Sequence, residues 1–258
     1  MKKPTLILVH GFRGTHKGLL AIADCLRDDF TVLTPDIPGS GDNPELDNKT
    51  LDGYAEWFHN YIKEKKLKKP YVVGHSMGSI IVSHYIEKYP NDVADKVVFM
   101  SPVFRSKRGQ RKSNRLYRVI NGGIHLVPTK QRYKFCGSKF LSYAISHFLT
   151  ADKSQQKRID ELHFLYSGKF ASAASFMADC SISMHEQTVI PDSKNVMLCY
   201  GEKDRLTKHE LTEAVAEKYH LDHHRFDGAG HLINYERAEQ VADEIRKFLK
   251  KISKNQKT

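Results

Sequence analysis

Gly74-His75-Ser76-Met77-Gly78 holds a serine whose setting suits covalent chemistry. The apolar pair Val72-Val73 leads into it, and Ile80, Ile81, Val82, Tyr85 and Ile86 follow at helical spacing. A strand, this Gly-x-Ser-x-Gly turn and then a helix is the context in which a serine is lifted above a strand end. The turn is too tight for side chains at Gly74 and Gly78. It leaves the Met77 N–H at a helix N-terminus, where it can stabilise an oxyanion. A serine hydroxyl is a weak nucleophile near neutral pH and needs a base within hydrogen-bond reach. Two later residues stand where that chemistry needs them. Asp204 follows the buried-strand run Val196-Met197-Leu198-Cys199-Tyr200, and His231 ends Asp227-Gly228-Ala229-Gly230-His231 just before a long helical pattern. His231 is the candidate base, and Asp204 would hold its tautomer and stabilise its protonated form.

The chain order serine, aspartate, histidine is that of the α/β-hydrolases. On these motifs the chain resembles the α/β-hydrolase fold superfamily, in its group of small capped esterases, lipases and carbon–carbon bond hydrolases. The resemblance extends from Thr5 to Leu249 and is weakest between Phe104 and Pro191. It implies an α/β fold with a doubly wound, mostly parallel sheet. The first strand, Thr5 to Val9, matches the family's third, so the sheet should be trimmed to about six strands. His10-Gly11-Phe12 matches the family's second oxyanion element, which would set the Phe12 N–H opposite that of Met77. His10 itself reads as structural. Asp36-Ile37-Pro38-Gly39-Ser40-Gly41 resembles a structural turn of the family. It lacks the Lys-Ser/Thr of a phosphate loop, which argues against nucleotide binding. Ser101 and Pro102, where some relatives carry their acid, include none, which leaves Asp204.

Composition sets outer limits. The 258 residues suit one large α/β domain with an insertion, and 40% hydrophobic residues is an ordinary globular composition. The run Thr5 to Val9 is too short for a signal-peptide core, and no stretch approaches the roughly 20 apolar residues of a membrane helix. Cys25, Cys136, Cys180 and Cys199 lack paired or metal-like spacing and read as free thiols in a reducing cytoplasm. Adjacent His223 and His224 would point to opposite faces of a strand, so no metal site is expected, and the triad chemistry calls for no organic cofactor.

Residues 1–103 and 191–258 alternate strand and helix patterns and would form the core. Tyr54, Trp57, Phe58 and Tyr61 make the core face of one of its helices. Residues 104–190 hold short helical patterns and no convincing strand. At this place in the family fold, such a segment is a helical cap over the active site. A cap usually supplies an apolar pocket wall, here expected from Phe140, Phe148, Phe164 and Phe176, which implies a hydrophobic acyl or aryl group.

Charge divides unevenly. Residues 1–103 carry 13 basic and 13 acidic residues, residues 104–190 carry 15 and 5, and residues 191–258 carry 13 and 12. The excess begins with Arg105, Lys107, Arg108, Arg111, Lys112, Arg115 and Arg118. Sparse aromatics and the lack of a binding module argue against nucleic acid. Solvation of a mobile basic segment, attraction to an anionic lipid surface, or attraction to a substrate carboxylate or phosphate remain. The resemblance thus implies a small-molecule ester substrate cleaved through an acyl-enzyme. A carbon–carbon bond hydrolase of the meta-cleavage-product type would use the same triad, and a non-catalytic small-molecule sensor could share the fold.

Overall fold

The computed structural model describes residues 3–128, 131, 132, 134, 138–166 and 168–251, with the side chains of 141 and 162–166 left out. Cys136 and the lysine-rich tail from residue 252 onward lie outside the described residues, as does the side chain of Phe164.

Six strands form one sheet: β1 (Thr5–Val9), β2 (Thr31–Leu33), β3 (Tyr71–His75), β4 (Lys96–Met100), β5 (Asn195–Gly201) and β6 (Asp222–Phe226). Their order is β2-β1-β3-β4-β5-β6, and every pairing is parallel. A parallel sheet covered on both faces needs apolar side chains at nearly every position, because alternate residues point to opposite layers. Ile7, Val9, Val72, Val97, Phe99, Val196 and Leu198 enter one core layer. Leu6, Leu8, Val73, Val98, Met100, Met197 and Cys199 enter the other.

Helices α1 (Leu20–Leu26), α2 (Leu51–Glu64) and α3 (Met77–Lys88) follow the first three strands. The segment between β4 and β5 carries α4 (Lys107–Leu126), α5 (Lys139–Leu149), α6 (Gln156–Tyr166) and α7 (Ala173–His185). After β5 come α8 (His209–Tyr219), the single turn α9 (Ile233–Glu236) and α10 (Ala238–Lys250). Tyr54 and Phe58 of α2 face the first core layer with α3, and α1 and α10 cover the second. Side-chain caps fix several helix starts. Thr50, Ser106 and Ser172 accept the N–H of the residue three further on, at 3.3, 3.2 and 3.1 Å. Among the described residues, no helix is long and apolar enough to cross a membrane.

The chain turns back between β1 and β3, since β2 lies on one side of β1 and β3 on the other. Ligands of open α/β sheets bind at such a switch point, outside the carboxyl ends of the strands. The loop after β1 and the turn after β3 both open there. Between β4 and β5, α4 runs for 20 residues, where sequence alone suggested only short helices. Its apolar stripe is thin and glycines interrupt it. Ile120 and Ile124 hold its far end against Phe170 and Phe176. The described part of the segment contributes no strand, only an isolated bridge from Phe170 to Ser40.

Candidate active site

Ser76 caps α3 from a strained backbone position, with φ 52° and ψ −120°. A non-glycine residue holds such angles only when its surroundings demand it. Here the neighbours are the reason. A Cβ on Gly78 would lie 2.5 Å from the Val9 carbonyl oxygen, and one on Gly74 would lie 2.7 Å from that of Gly78. Helix α3 thus starts directly against β1, and the Ser76 amide donates to Met100 O at 2.9 Å.

The three residues far apart in sequence meet at this turn. Ser76 Oγ lies 2.9 Å from His231 Nε2, and His231 Nδ1 lies 2.7 Å from Asp204 Oδ2. All three are buried. Asp204 accepts the amides of Leu206 and Thr207 on Oδ1 at 2.7 and 3.0 Å, which leaves Oδ2 for the imidazole. An ionised carboxylate can only accept, so Nδ1 carries the proton and Nε2 accepts from the Ser76 hydroxyl. The His231 loop is held from three sides. Its amide donates to Leu149 O at 2.9 Å, and its carbonyl accepts the Ser101 hydroxyl at 2.8 Å. The Glu236 carboxylate accepts the amides of Gly230, Ala151 and Asp152.

Phe12 and Met77 stand on either side of Ser76. Met77 opens α3, and Phe12 lies one residue beyond Gly11, whose Cβ position would fall 2.8 Å from that of Ser76. Among the described residues, neither N–H has a backbone acceptor. The Phe12 ring packs 5.6 Å from Phe176 and 6.3 Å from Phe170, which anchors the loop that carries its amide. His10 is structural, as read from the sequence. Its Nδ1–H donates to Gly11 O at 2.9 Å, its Nε2 accepts Ile37 N–H at 2.9 Å, and burial holds its pKa below the usual value. Burial, aided by neighbouring His231, pushes the pKa of His75 down to about 3, so this second imidazole stays neutral.

Two cavities meet at Phe12, Ser76 and Leu206. One holds about 80 Å³ and is walled by Ile145, Leu149 and Leu232. The other is a groove of about 870 Å³ between α4 and the loop after Asp204. The three expected phenylalanines whose side chains are described do not line them. Phe140 and Phe148 are 81% and 50% exposed and touch neither cavity, while Phe176 is buried behind Phe12. Helix α5 buries Ser142 and Ser146 and leaves Phe140 and Phe148 exposed, so the apolar stripe of its sequence does not tell which face meets the site. The face is Ile145 and Leu149, one helical turn apart. Arg105 also departs from expectation. Its guanidinium is drawn in to the Ser183 and Glu186 carbonyls at the end of α7, where burial lowers its pKa to about 10. Arg13 was not anticipated at all. It is fully buried beside the small cavity and donates to Ser142 Oγ at 2.9 Å.

Comparison with known proteins bears on the fold. The family model described as alpha/beta hydrolase fold matches residues 4–238. Monoacylglycerol lipase ABHD6 of Homo sapiens is 33% identical over 97 residues, which are 36% of this chain and 28% of that protein. Lipase 3 of Moraxella sp. (strain TA144) is 26% identical over 219 residues, 82% of this chain and 66% of that lipase. The matched stretches thus span between about a quarter and two thirds of these relatives' length. Among solved structures, a thermophilic esterase from Thermogutta terrifontis superposes with a TM-score of 0.75 at 20% identity, covering 96% of this chain and 90% of that one. The matched family model and the all-parallel sheet of six strands, with Ser76 at its switch point, together place the chain in the α/β-hydrolase fold family.

Proposed function

We propose that the chain is a serine hydrolase of carboxylic esters acting through an acyl-enzyme. The observation that carries this reading is the buried hydrogen-bonded series from Ser76 through His231 to Asp204, with two unengaged amides beside the serine. In the proposed reaction Ser76 Oγ attacks the ester carbonyl as its proton passes to His231 Nε2. Asp204 stabilises the imidazolium through Nδ1–H. The N–H groups of Phe12 and Met77 hold the tetrahedral oxyanion, and each such donor is typically worth about 3–4 kcal/mol. His231 returns the proton to the leaving alcohol. Water, deprotonated by the same imidazole, then releases the acid.

The helices between β4 and β5 act in this reading as a cap, with α5 walling the small cavity and α4 the groove. An ester would straddle Ser76, with its compact side in the small cavity and its longer apolar side in the groove. The lipases among the relatives support ester cleavage. The test is turnover of p-nitrophenyl acetate, butyrate, octanoate and palmitate by wild type and Ser76→Ala, with fluorophosphonate labelling of Ser76 alongside. Turnover and labelling that both vanish in Ser76→Ala support the proposal. A wild type that neither hydrolyses these esters nor takes the label overturns it.

A further inference from the structure

We infer that the 870 Å³ groove is built for a substrate that carries an anionic group, a carboxylate or phosphate, at the far end of its apolar chain. The inference rests on Ser76 being the reacting centre. The groove begins at Ser76 and Phe12 and has an apolar floor that includes Val103, Phe104 and Leu211. Leu116 and Leu206 line it while remaining 51% and 49% exposed. Large apolar side chains left in solvent along a groove suit an apolar ligand.

Both walls carry an excess of positive charge. Arg108 and Lys112 stand one turn apart on α4, and Leu116, another turn on, completes the same face. Arg205 and Lys208 face them from the loop after Asp204. Glu210 is the single carboxylate of the lining, and His209 lies beside it at 3.7 Å. Arg105 lines the groove too, but its guanidinium is engaged by the carbonyls at the end of α7. Among the described residues, the other four cations have no carboxylate partner, and α4 contains no acidic residue to supply one. Four unpaired cations on opposing walls of a cleft focus a positive potential along it. Lys107, Arg111, Arg115 and Arg118 of α4 lie outside the groove, where a basic patch for a lipid bilayer would be placed. Arg108, Lys112, Arg205 and Lys208 instead line the cavity that opens onto Ser76.

The experiment uses the full chain with Ser76→Ala, so that binding is read without hydrolysis. Hexyl phosphate, hexanoate and 1-hexanol are titrated as monomers by calorimetry. Either anion is expected to bind at least about tenfold more tightly than hexanol at low salt, an advantage that shrinks as salt is added. Arg205→Gln/Lys208→Gln and Arg108→Gln/Lys112→Gln should each cut the advantage at least about threefold, consistent with the modest strength of exposed charge pairs. Arg111→Gln/Arg115→Gln removes the same charge from α4 outside the groove and should preserve it. The inference is overturned if hexanol binds as well as the anions, or if the Arg111/Arg115 pair matters equally. Binding to phosphatidylglycerol vesicles without binding of the monomeric anions also overturns it and assigns the charge to a lipid surface. Failure of ester turnover in the wild type, with the anion preference intact, would remove the hydrolase reading and leave the anion site standing.

Discussion

Ser79 Oγ and Thr188 Oγ1 lie 2.6 Å apart, joining the first turn of α3 to the chain just after α7. The bond is the middle of a series. Val103 N–H donates to Thr188 Oγ1 at 3.0 Å, the Thr188 hydroxyl donates to Ser79, and Ser79 donates to Ser76 O at 2.6 Å. The segment carrying α4 to α7 is therefore tied at its exit to the backbone of Ser76 itself. A double-mutant cycle of Ser79→Ala and Thr188→Val should give a coupling of about 1–2 kcal/mol in urea unfolding, since Ser79→Ala leaves the buried Thr188 hydroxyl without its acceptor and Thr188→Val leaves the Val103 N–H without one. Additive effects would show that the contact contributes nothing specific.

Asp204→Asn separates the orientation of His231 from its presence. The side-chain oxygen keeps the Leu206 and Thr207 amides, so the new NH₂ faces His231 Nδ1 and donates to it. The imidazole proton must then move to Nε2, and Ser76 loses its acceptor. kcat for a p-nitrophenyl ester should fall about 10⁴-fold, with the unfolding free energy changed by no more than about 1 kcal/mol. Retained activity in a folded Asp204→Asn protein would remove Asp204 from the proposed mechanism.

Why Ser76, Asp204 and His231 could be read from sequence, and other site residues could not, follows from the kind of signal each carries. Strands β1, β3, β4 and β5 are buried on both faces, so Leu6 to Val9 or Val196 to Tyr200 appear as unbroken apolar runs, and Ser76 and Asp204 stand just past the ends of β3 and β5, while His231 follows the more exposed edge strand β6. The glycines of the elbow mark a turn that only small residues permit. No comparable pattern exists for Ile145 and Leu149, because α5 buries Ser142 and Ser146 and exposes Phe140 and Phe148, so that tertiary packing and not the apolar stripe selects its inner face. Glu236 and Asp179 look like ordinary polar helix residues. Apart from Gly230, their partners are backbone amides and hydroxyls 84 or more residues away, at Asp152 and Tyr54 among others. Arg105 was read with the solvated basic run, because the carbonyls that engage it at the end of α7 lie about 80 residues on.

Glu236 connects the His231 loop to the start of α6. One carboxylate oxygen accepts Gly230 N–H at 3.0 Å, and the other accepts Ala151 and Asp152 N–H at 3.0 and 2.8 Å. Glu236→Ala leaves three amides without that acceptor and should cost about 3 kcal/mol or more of stability. Because Gly230 precedes His231, kcat should also fall, by about 10- to 100-fold, as the imidazole loses its position. Glu236→Gln keeps one acceptor oxygen and should recover part of both losses. Equal kcat in Glu236→Ala and wild type would show that Ser101 and Leu149 suffice to hold His231.

Asp179 gives the fold a dependence on pH whose sign can be worked out. It is fully buried in α7, accepting the Tyr54 hydroxyl at 2.8 Å, with Ser40 Oγ at 3.5 Å. Burial raises its pKa to about 7 from the ordinary carboxylate value of 3.8, against the lowering effect of those two hydroxyls. Between these two values the folded chain binds more protons than the unfolded one. Its contribution is therefore favourable at acid pH and is lost as pH rises toward 7. Asp179→Asn keeps an oxygen for Tyr54 and removes the ionisation. The stability of wild type relative to this variant should fall by about 3 kcal/mol between pH 5 and pH 8, so that Asp179→Asn becomes the more stable protein at the alkaline end. Urea midpoints measured at pH 5, 6, 7 and 8 decide the matter. Parallel profiles for the two proteins would mean that Asp179 is ionised throughout, held by more solvent than its burial beneath Tyr54 and Ser40 admits.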